Sequence, residues 1–299
     1  MSLARPILNA WLRWTEKSFL ARAEDPLEVR RSFETKARFY FHAPFGTRYS
    51  HDKIGGRDVQ WARARGVSKD GAPLLLYFHG GAYVFGSPNT HRAMLARLSA
   101  DTGLPACLPT YRLAPEHPFP AALEDAVSVY RAAMERPGGV ILGGDSAGGG
   151  LVLALQAEIC KLGLPNPLGT FAFSPLTDMT YSGESFVSQA DADVILPAER
   201  AQESADFYLN GADPKTPGAS PLFAEFAGAA PVWMCVGDTE ILLDDTRRMT
   251  KHLRAQRVEV TELIEHDLPH VWPLFHNLLP EARNTLRDLA QWVRSLSNR

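Results

Sequence analysis

From residue 73 onward the sequence alternates short apolar runs with amphipathic stretches, and this rhythm limits the possible folds more than any other feature. Pro73-Leu74-Leu75-Leu76-Tyr77-Phe78 is apolar throughout, is followed by glycines, and reads as a strand buried on both faces. Residues 90–100 carry Met94, Leu95 and Leu98 at helical spacing, and 104–108 read as a second strand. The spacing predicts a helix over 121–136, a short strand at Val140-Ile141-Leu142, an apolar helix over 149–162 and a strand over 170–173. Strands over 232–236 and 258–264 follow, with a helix over 243–256 between them and a last helix over 281–296. Strands separated by helices in this way imply βαβ units, hence an α/β fold whose mostly parallel central sheet is covered by helices on both faces.

Two stretches depart from the rhythm. Near the start, Ile7, Leu8, Trp11, Leu12 and Phe19 recur close to a 3.6-residue period with Arg5, Arg13, Lys17 and Arg22 between them, until Pro44-Phe45-Gly46 closes the segment. Residues 178–223 are rich in Asp, Ser, Pro and Gly and carry one helical stretch near 199–209. An insertion of this kind beside a site reads as a lid or cap rather than a separate domain. The expected organisation is therefore a helical cap segment over 1–45, a main α/β domain over 46–177 and 216–299, and a cap insertion over 178–215. With 299 residues the chain is long enough for that one large domain and its appendage.

Composition removes several classes of function. A net charge of -3 with 22% charged residues gives no sign of a nucleic-acid or anionic-membrane partner. Cys107, Cys160 and Cys235 form no CxxC pair and sit in apolar stretches, so they read as small buried hydrophobes in a reducing compartment. Arg13 and Lys17 interrupt the N-terminal apolar residues, and no run of 18 apolar residues occurs. A cytoplasmic protein with no stable membrane association is expected.

Gly144-Asp145-Ser146-Ala147-Gly148 fits G-x-S-x-G. The pattern alone is weak, but here it lies between a short apolar strand and a long apolar helix, the strand–turn–helix setting of a nucleophile elbow. Glycines let the backbone fold tightly there. The helix start offers N–H groups and a positive dipole end to an oxyanion. Asp145 reads as a brace for the turn rather than a reacting group. His79-Gly80-Gly81-Ala82, directly after the 73–78 strand, has the form of an oxyanion loop. Gly80, Gly81 and Ala82 with Ala147 are expected to form the hole, the N–H groups of Gly81, Ala82 and Ala147 being the donors. His79 reads as structural.

Chain order then calls for an acid and a histidine downstream of the serine. His270 in Asp267-Leu268-Pro269-His270 follows the 258–264 strand by a short loop, and His266 is its competitor nearer the strand end. Four carboxylates compete for the acid, Asp238, Glu240, Asp244 and Asp245, the last two better placed on the first turn of a helix.

At this point the sequence resembles the bacterial hormone-sensitive-lipase-like esterases, often called family IV. The resemblance spans roughly 30–295. It rests on His79-Gly80-Gly81-Ala82-Tyr83, on the run from Tyr111-Arg112-Leu113-Ala114-Pro115-Glu116 through His117-Pro118-Phe119-Pro120-Ala121, on Gly144-Asp145-Ser146-Ala147-Gly148-Gly149 and on Ser174-Pro175-Leu176. It implies the α/β-hydrolase fold with a cap, a cytoplasmic location, carboxylester hydrolysis and, as a further expectation, a homodimer. The family commonly has Asp-Pro-Leu-x-Asp at the acid. Laying its last Asp on Asp244 places the acid at Glu240, with Ile241 and Leu242 in place of Pro-Leu; Asp238 is the alternative.

The expected chemistry is acyl transfer to Ser146, with His270 as base, Glu240 orienting it, and no metal or cofactor. The partner is a small-molecule ester of short to medium acyl length. Tyr83, Phe85, Ile195 and Trp272 are candidates for the substrate pocket, with Trp11, Trp14 and Leu196 as further cap residues. Neither G-x-G-x-x-G nor a P-loop is present, and Pro269 between His266 and His270 argues against a metal-binding helix. A small-molecule receptor on the same scaffold, a true lipase and an amide hydrolase are the rival readings.

Overall fold

The computed structural model describes residues 2–70 and 73–296. Among the described residues eight strands form one sheet: β1 (Arg48–Ile54), β2 (Arg57–Arg63), β3 (Leu74–Phe78), β4 (Ala106–Pro109), β5 (Val140–Asp145), β6 (Gly169–Phe173), β7 (Val232–Gly237) and β8 (Val260–Glu265). Their spatial order is β1-β2-β4-β3-β5-β6-β7-β8. Strands β3 to β8 pair in parallel, whereas β1 pairs with β2, and β2 with β4, antiparallel. Every residue of β3, β4, β5, β6 and β7 is buried, in keeping with the largely apolar composition of strands covered on both faces.

Among the described residues the α-helices are α1 (Ala4–Leu12), α2 (Ser18–Leu20), α3 (Pro26–Tyr40), α4 (Pro88–Thr102), α5 (Ala121–Met134), α6 (Ser146–Leu162), α7 (Ser185–Ser188), α8 (Ala201–Leu209), α9 (Leu243–Ala255) and α10 (Pro280–Leu296), with a π-helical turn at Arg13–Lys17. Local chemistry sets their ends. Ser87 and Thr90 form a capping box before α4, Pro88 occupies its first turn, and Gly103 closes it in the left-handed conformation. Asp25 caps α3 by accepting the N–H of Leu27, with Pro26 at the first helical position. One core layer joins Trp61, Phe78 and Tyr130 to Leu151 of α6; the other joins Leu12, Leu95 and Phe171 to Leu289 of α10.

The β1–β2 hairpin is absent from the sequence reading. Arg-Tyr-Ser-His-Asp-Lys-Ile of β1 has no apolar run because the strand is an edge, exposed along most of its length. Its partner buries Val59, Gln60, Trp61 and Ala62. The usable signal was the Gly55-Gly56 turn between two runs of equal length.

The N-terminal helices and the insertion meet. Arg13 donates to the carbonyls of Asp191 and Ala192, and Lys17 to those of Ala190 and Asp193. Arg30 of α3 reaches the carbonyl of Val84 at 2.7 Å and that of Ala114 at 2.8 Å, and forms a bidentate pair with Glu116. Among the described residues no helix is long and apolar enough to cross a membrane.

Candidate active site

The turn from β5 into α6 is built around Ser146, a non-glycine residue with φ of 51°. Holding such a residue in the left-handed region costs on the order of 1–3 kcal/mol, a strain kept only where the surroundings over-determine it. Two glycines make the turn possible. A Cβ on Gly144 would land on the carbonyl of Gly148, and one on Gly148 would land on the carbonyls of Phe78 and His79. Helix α6 begins at Ser146 itself, three residues before the expected start at Gly149, so the serine and Ala147 occupy its first turn. N–H groups there have no intrahelical acceptor.

Asp145 braces this elbow, as its position suggested. Its buried carboxylate accepts from Tyr77 Oη at 2.7 Å and from the N–H of Gly80 at 3.0 Å, and it meets His91 Nε2 at 3.2 Å. Burial would raise this carboxyl, but the charge and hydrogen bond of His91 and the bond from Tyr77 outweigh it and hold it below its ordinary value. The expectation for Gly80 is corrected here: its N–H is committed to Asp145, so it braces the loop and is not free to face an oxyanion. Gly81 (φ 119°) and Ala82 (φ 52°) turn the chain sharply after it. Their N–H groups have no acceptor among the described residues. His79 is buried, gives its Nδ1–H to the carbonyl of Gly80 at 2.8 Å and stacks on Tyr111. Burial pulls its pKa down to about 3, so it is a neutral structural ring.

The loops after β7 and β8 bring two carboxylate–imidazole pairs together. Glu240 Oε2 meets His270 Nδ1 at 2.6 Å, both side chains being buried. Oε1 of Glu240 curls back to accept the N–H of Gly237 at 2.6 Å and the hydroxyl of Ser174 at 2.8 Å. That hydroxyl in turn accepts the N–H of Val271, the neighbour of His270, at 3.2 Å. Ser174, fully buried and held at φ 45°, was not singled out in sequence as a site residue; only the Ser-Pro-Leu block marked it. Asp238 takes the other histidine, meeting His266 Nδ1 at 2.7 Å on the surface. Asp244 and Asp245 lie in the first turn of α9.

Burial alone would depress the His270 imidazole, but the charge and hydrogen bond of Glu240 outweigh it and raise the ring above its ordinary value. The other ring nitrogen, Nε2, is buried and has no hydrogen-bond partner among the described residues. A buried polar atom left unsatisfied is expensive. His270 and Ser146 both face one cavity of about 250 Å³, as do Gly81 and Ala82.

That cavity is roofed by Trp11, Phe19, Phe33 and Tyr40 from the N-terminal segment and by Ile195, Leu196 and Phe207 from the insertion. Of the residues expected at a substrate pocket, Phe85 and Ile195 line this cavity. Tyr83 and Trp272 do not, and the pocket expectation is corrected at both. Tyr83 turns inward to stack on Tyr208 with ring centroids 3.8 Å apart, and Trp272 is fully buried with its Nε1–H donated to Thr285. Each is packed away from the cavity, a direction that adjacency in sequence to His79 or His270 cannot reveal. Trp14 is exposed and also lies off the cavity.

Residues 75–274 match the family model described as α/β hydrolase fold. The chain is 35% identical to an acetyl-hydrolase of Streptomyces hygroscopicus over 245 residues, 81% of either chain. It is 33% identical to an esterase of Acinetobacter venetianus over 248 residues, 80% of this chain and 82% of that one. Among solved structures it is similar to EstE5 from crystals soaked in ethyl alcohol, with a TM-score of 0.93, 37% identity and 100% of both chains covered. It is also similar to an esterase from the bacterial hormone-sensitive lipase family, with a TM-score of 0.92, 34% identity and 99% of both chains covered.

Proposed function

Because the chain belongs to the α/β-hydrolase fold family, among its bacterial hormone-sensitive-lipase-like esterases, and is a carboxylic ester hydrolase, we propose that it cleaves short- to medium-chain acyl esters through Ser146, His270 and Glu240. One observation carries this reading: His270 is buried and fixed by Glu240 on one nitrogen, its other nitrogen has no hydrogen-bond partner among the described residues, and the residue lines the same cavity as Ser146. A base fixed on one side and unsatisfied on the other is poised to take a proton.

In this mechanism His270 Nε2 removes the Oγ proton of Ser146 as Oγ attacks the ester carbonyl. The N–H groups of Gly81, Ala82 and Ala147 receive the developing oxyanion. Each such donor is worth on the order of 10²–10³ in turnover. The imidazolium, stabilised by Glu240, then protonates the leaving alcohol. Water, deprotonated by the same ring, attacks the acyl-enzyme, and the ring returns that proton to Ser146 Oγ as the acid leaves. Ser174 and Gly237 hold Glu240 from behind, which keeps its other oxygen on His270. Size supports a small ester as substrate: the cavity's volume of about 250 Å³ lies just under the roughly 300–1,000 Å³ typical of sites for drug-sized ligands. Residues 1–45 and 178–215 serve as the cap, since both contribute to the roof.

The test is turnover of 4-nitrophenyl esters from acetate to dodecanoate, with covalent labelling by a serine-reactive organophosphate. Activity is expected to peak at short or medium length. The Ser146→Ala protein is expected to fold, to lose labelling and to lose roughly the 10⁶-fold in kcat seen when a triad nucleophile is removed. Wild-type protein that neither turns over nor labels would point to a receptor instead.

A further inference from the structure

Asp193 is a carboxylate that none of these roles uses, and it is 2% exposed. It sits in the insertion. Its Oδ1 accepts the N–H groups of Ile195 and Leu196, each at 2.9 Å, and its Oδ2 accepts the N–H of Ile241, the residue after Glu240, at 3.0 Å. Ile195, Leu196 and Ile241 all line the cavity. Its main chain is held too: its N–H donates to the carbonyl of Gln189, and its carbonyl accepts from Lys17 of the N-terminal segment, both at 2.8 Å.

The bond to Ile241 is a consequence of this chain's own sequence. Where the resembled motif reads Asp-Pro-Leu, position 241 has no N–H to satisfy. Here it is isoleucine, 3% exposed, and its N–H needs an acceptor. Asp193 provides it from across the cap boundary, 48 positions away.

We infer that Asp193 is a positioning residue for ester hydrolysis: its buried carboxylate ties the pocket wall of the insertion to the loop that carries Glu240, so that pocket and acid keep one geometry. The inference rests on the triad proposed above. Asp193 touches neither substrate nor His270 and acts through Glu240 and Ile241. Its charge also adds to the field at the site, where it favours the protonated form of His270 alongside the larger contribution of Glu240 and a smaller one of Asp145. The charged groups facing this cluster are Arg13 and Lys17 from the N-terminal segment, which bond main-chain carbonyls of residues 190–193, Glu240 after β7, His270 after β8 and Asp145 at the elbow.

Two variants of the full chain test this, Asp193→Asn and Ile241→Pro. Each is assayed for kcat, KM and the pH profile of kcat/KM on 4-nitrophenyl butyrate, with folding checked by circular dichroism. Asn keeps the shape and removes the charge, but its single amide oxygen can serve only one side, so an NH2 donor is left facing the N–H of Ile241 or those of Ile195 and Leu196. Pro removes the N–H that binds Oδ2 and keeps the Asp193 charge, at the cost of the Ile241 side chain and some backbone freedom at Glu240. Asp193→Asn is expected to lose about 10- to 100-fold in kcat, the scale of a small misplacement of a catalytic group. Its acid limb should move to lower pH, because neutral His270 becomes easier to reach. Ile241→Pro is expected to lose kcat while its acid limb stays in place. A folded Asp193→Asn enzyme with unchanged kcat and an unmoved limb overturns the inference. Should that variant not fold, an Ile241→Pro enzyme with wild-type kcat overturns it instead. Organophosphate labelling separates the two readings: if both variants still label at Ser146 while kcat is unchanged, only the role of Asp193 falls.

Discussion

Two carboxylate–histidine pairs leave the ends of the same neighbouring strands, and they differ chiefly in where they end up. Glu240 and His270 meet at 2.6 Å, and Asp238 and His266 at 2.7 Å. In the first pair the side chains are 1% and 7% exposed; in the second they are 33% and 66% exposed. Burial pushes the Glu240 carboxyl above its ordinary value despite the pull of His270. At Asp238 the smaller effect of burial is outweighed by the N–H of Asp267 and by His266, and the carboxyl falls below its ordinary value. Hydrogen-bond length therefore says little about what a pair can do. Removal from water makes the Glu240–His270 interaction strong and leaves the second imidazole nitrogen in need of a partner, whereas water supplies partners to His266 freely.

The largest way to break this contrast is Glu240→Gln. It is expected to lower kcat by about 10⁴-fold with the fold retained, as loss of a triad acid does elsewhere. Steady-state kinetics beside a melting curve checks it. Loss of turnover in Asp238→Asn instead would move the acid to the surface pair.

The pH profile sharpens the contrast further. Hydrolysis requires His270 neutral, and Glu240 raises the ring against the opposite effect of burial. The acid limb of kcat/KM is therefore expected above the usual histidine value of about 6.5. In the residual activity of Glu240→Gln, the largest raising cause is gone while burial remains, so the limb should move to lower pH. A limb that does not respond would detach it from His270.

Asp238→Asn is the smallest expected effect. An exposed pair contributes about 0.2–1 kcal/mol, so stability should change by no more than that and kcat hardly at all. Thermal unfolding and the same ester assay measure both.

Much of the scaffold was readable because period and composition report burial directly. The all-apolar runs became the buried central strands, and the glycine-serine pentapeptide became the elbow between β5 and α6. The hairpin of β1 and β2 was missed, since an edge strand open to water needs no apolar pattern. Motif and chain order pointed to Ser146 and His270, but they left four carboxylates open for the acid, and only the resemblance favoured Glu240 over Asp238. Gly80 was misread because a backbone N–H looks the same in sequence whether it faces a cavity or a carboxylate 65 residues away. Tyr83 and Trp272 were misread because adjacency along the chain does not give the direction of a side chain.

The sequence by itself determined the layered α/β plan and the one residue that could sit at its sharpest turn. Those follow from local physics: hydrophobic periodicity, and the space that only glycine leaves. Tertiary structure alone decided which of four neighbouring carboxylates meets His270, which oxyanion-loop N–H groups stay open, and that Asp193 joins the roof of the pocket to the loop after β7. Those are contacts between residues far apart in the chain, and only the folded sheet, by fixing where each loop emerges, brings them within hydrogen-bonding distance.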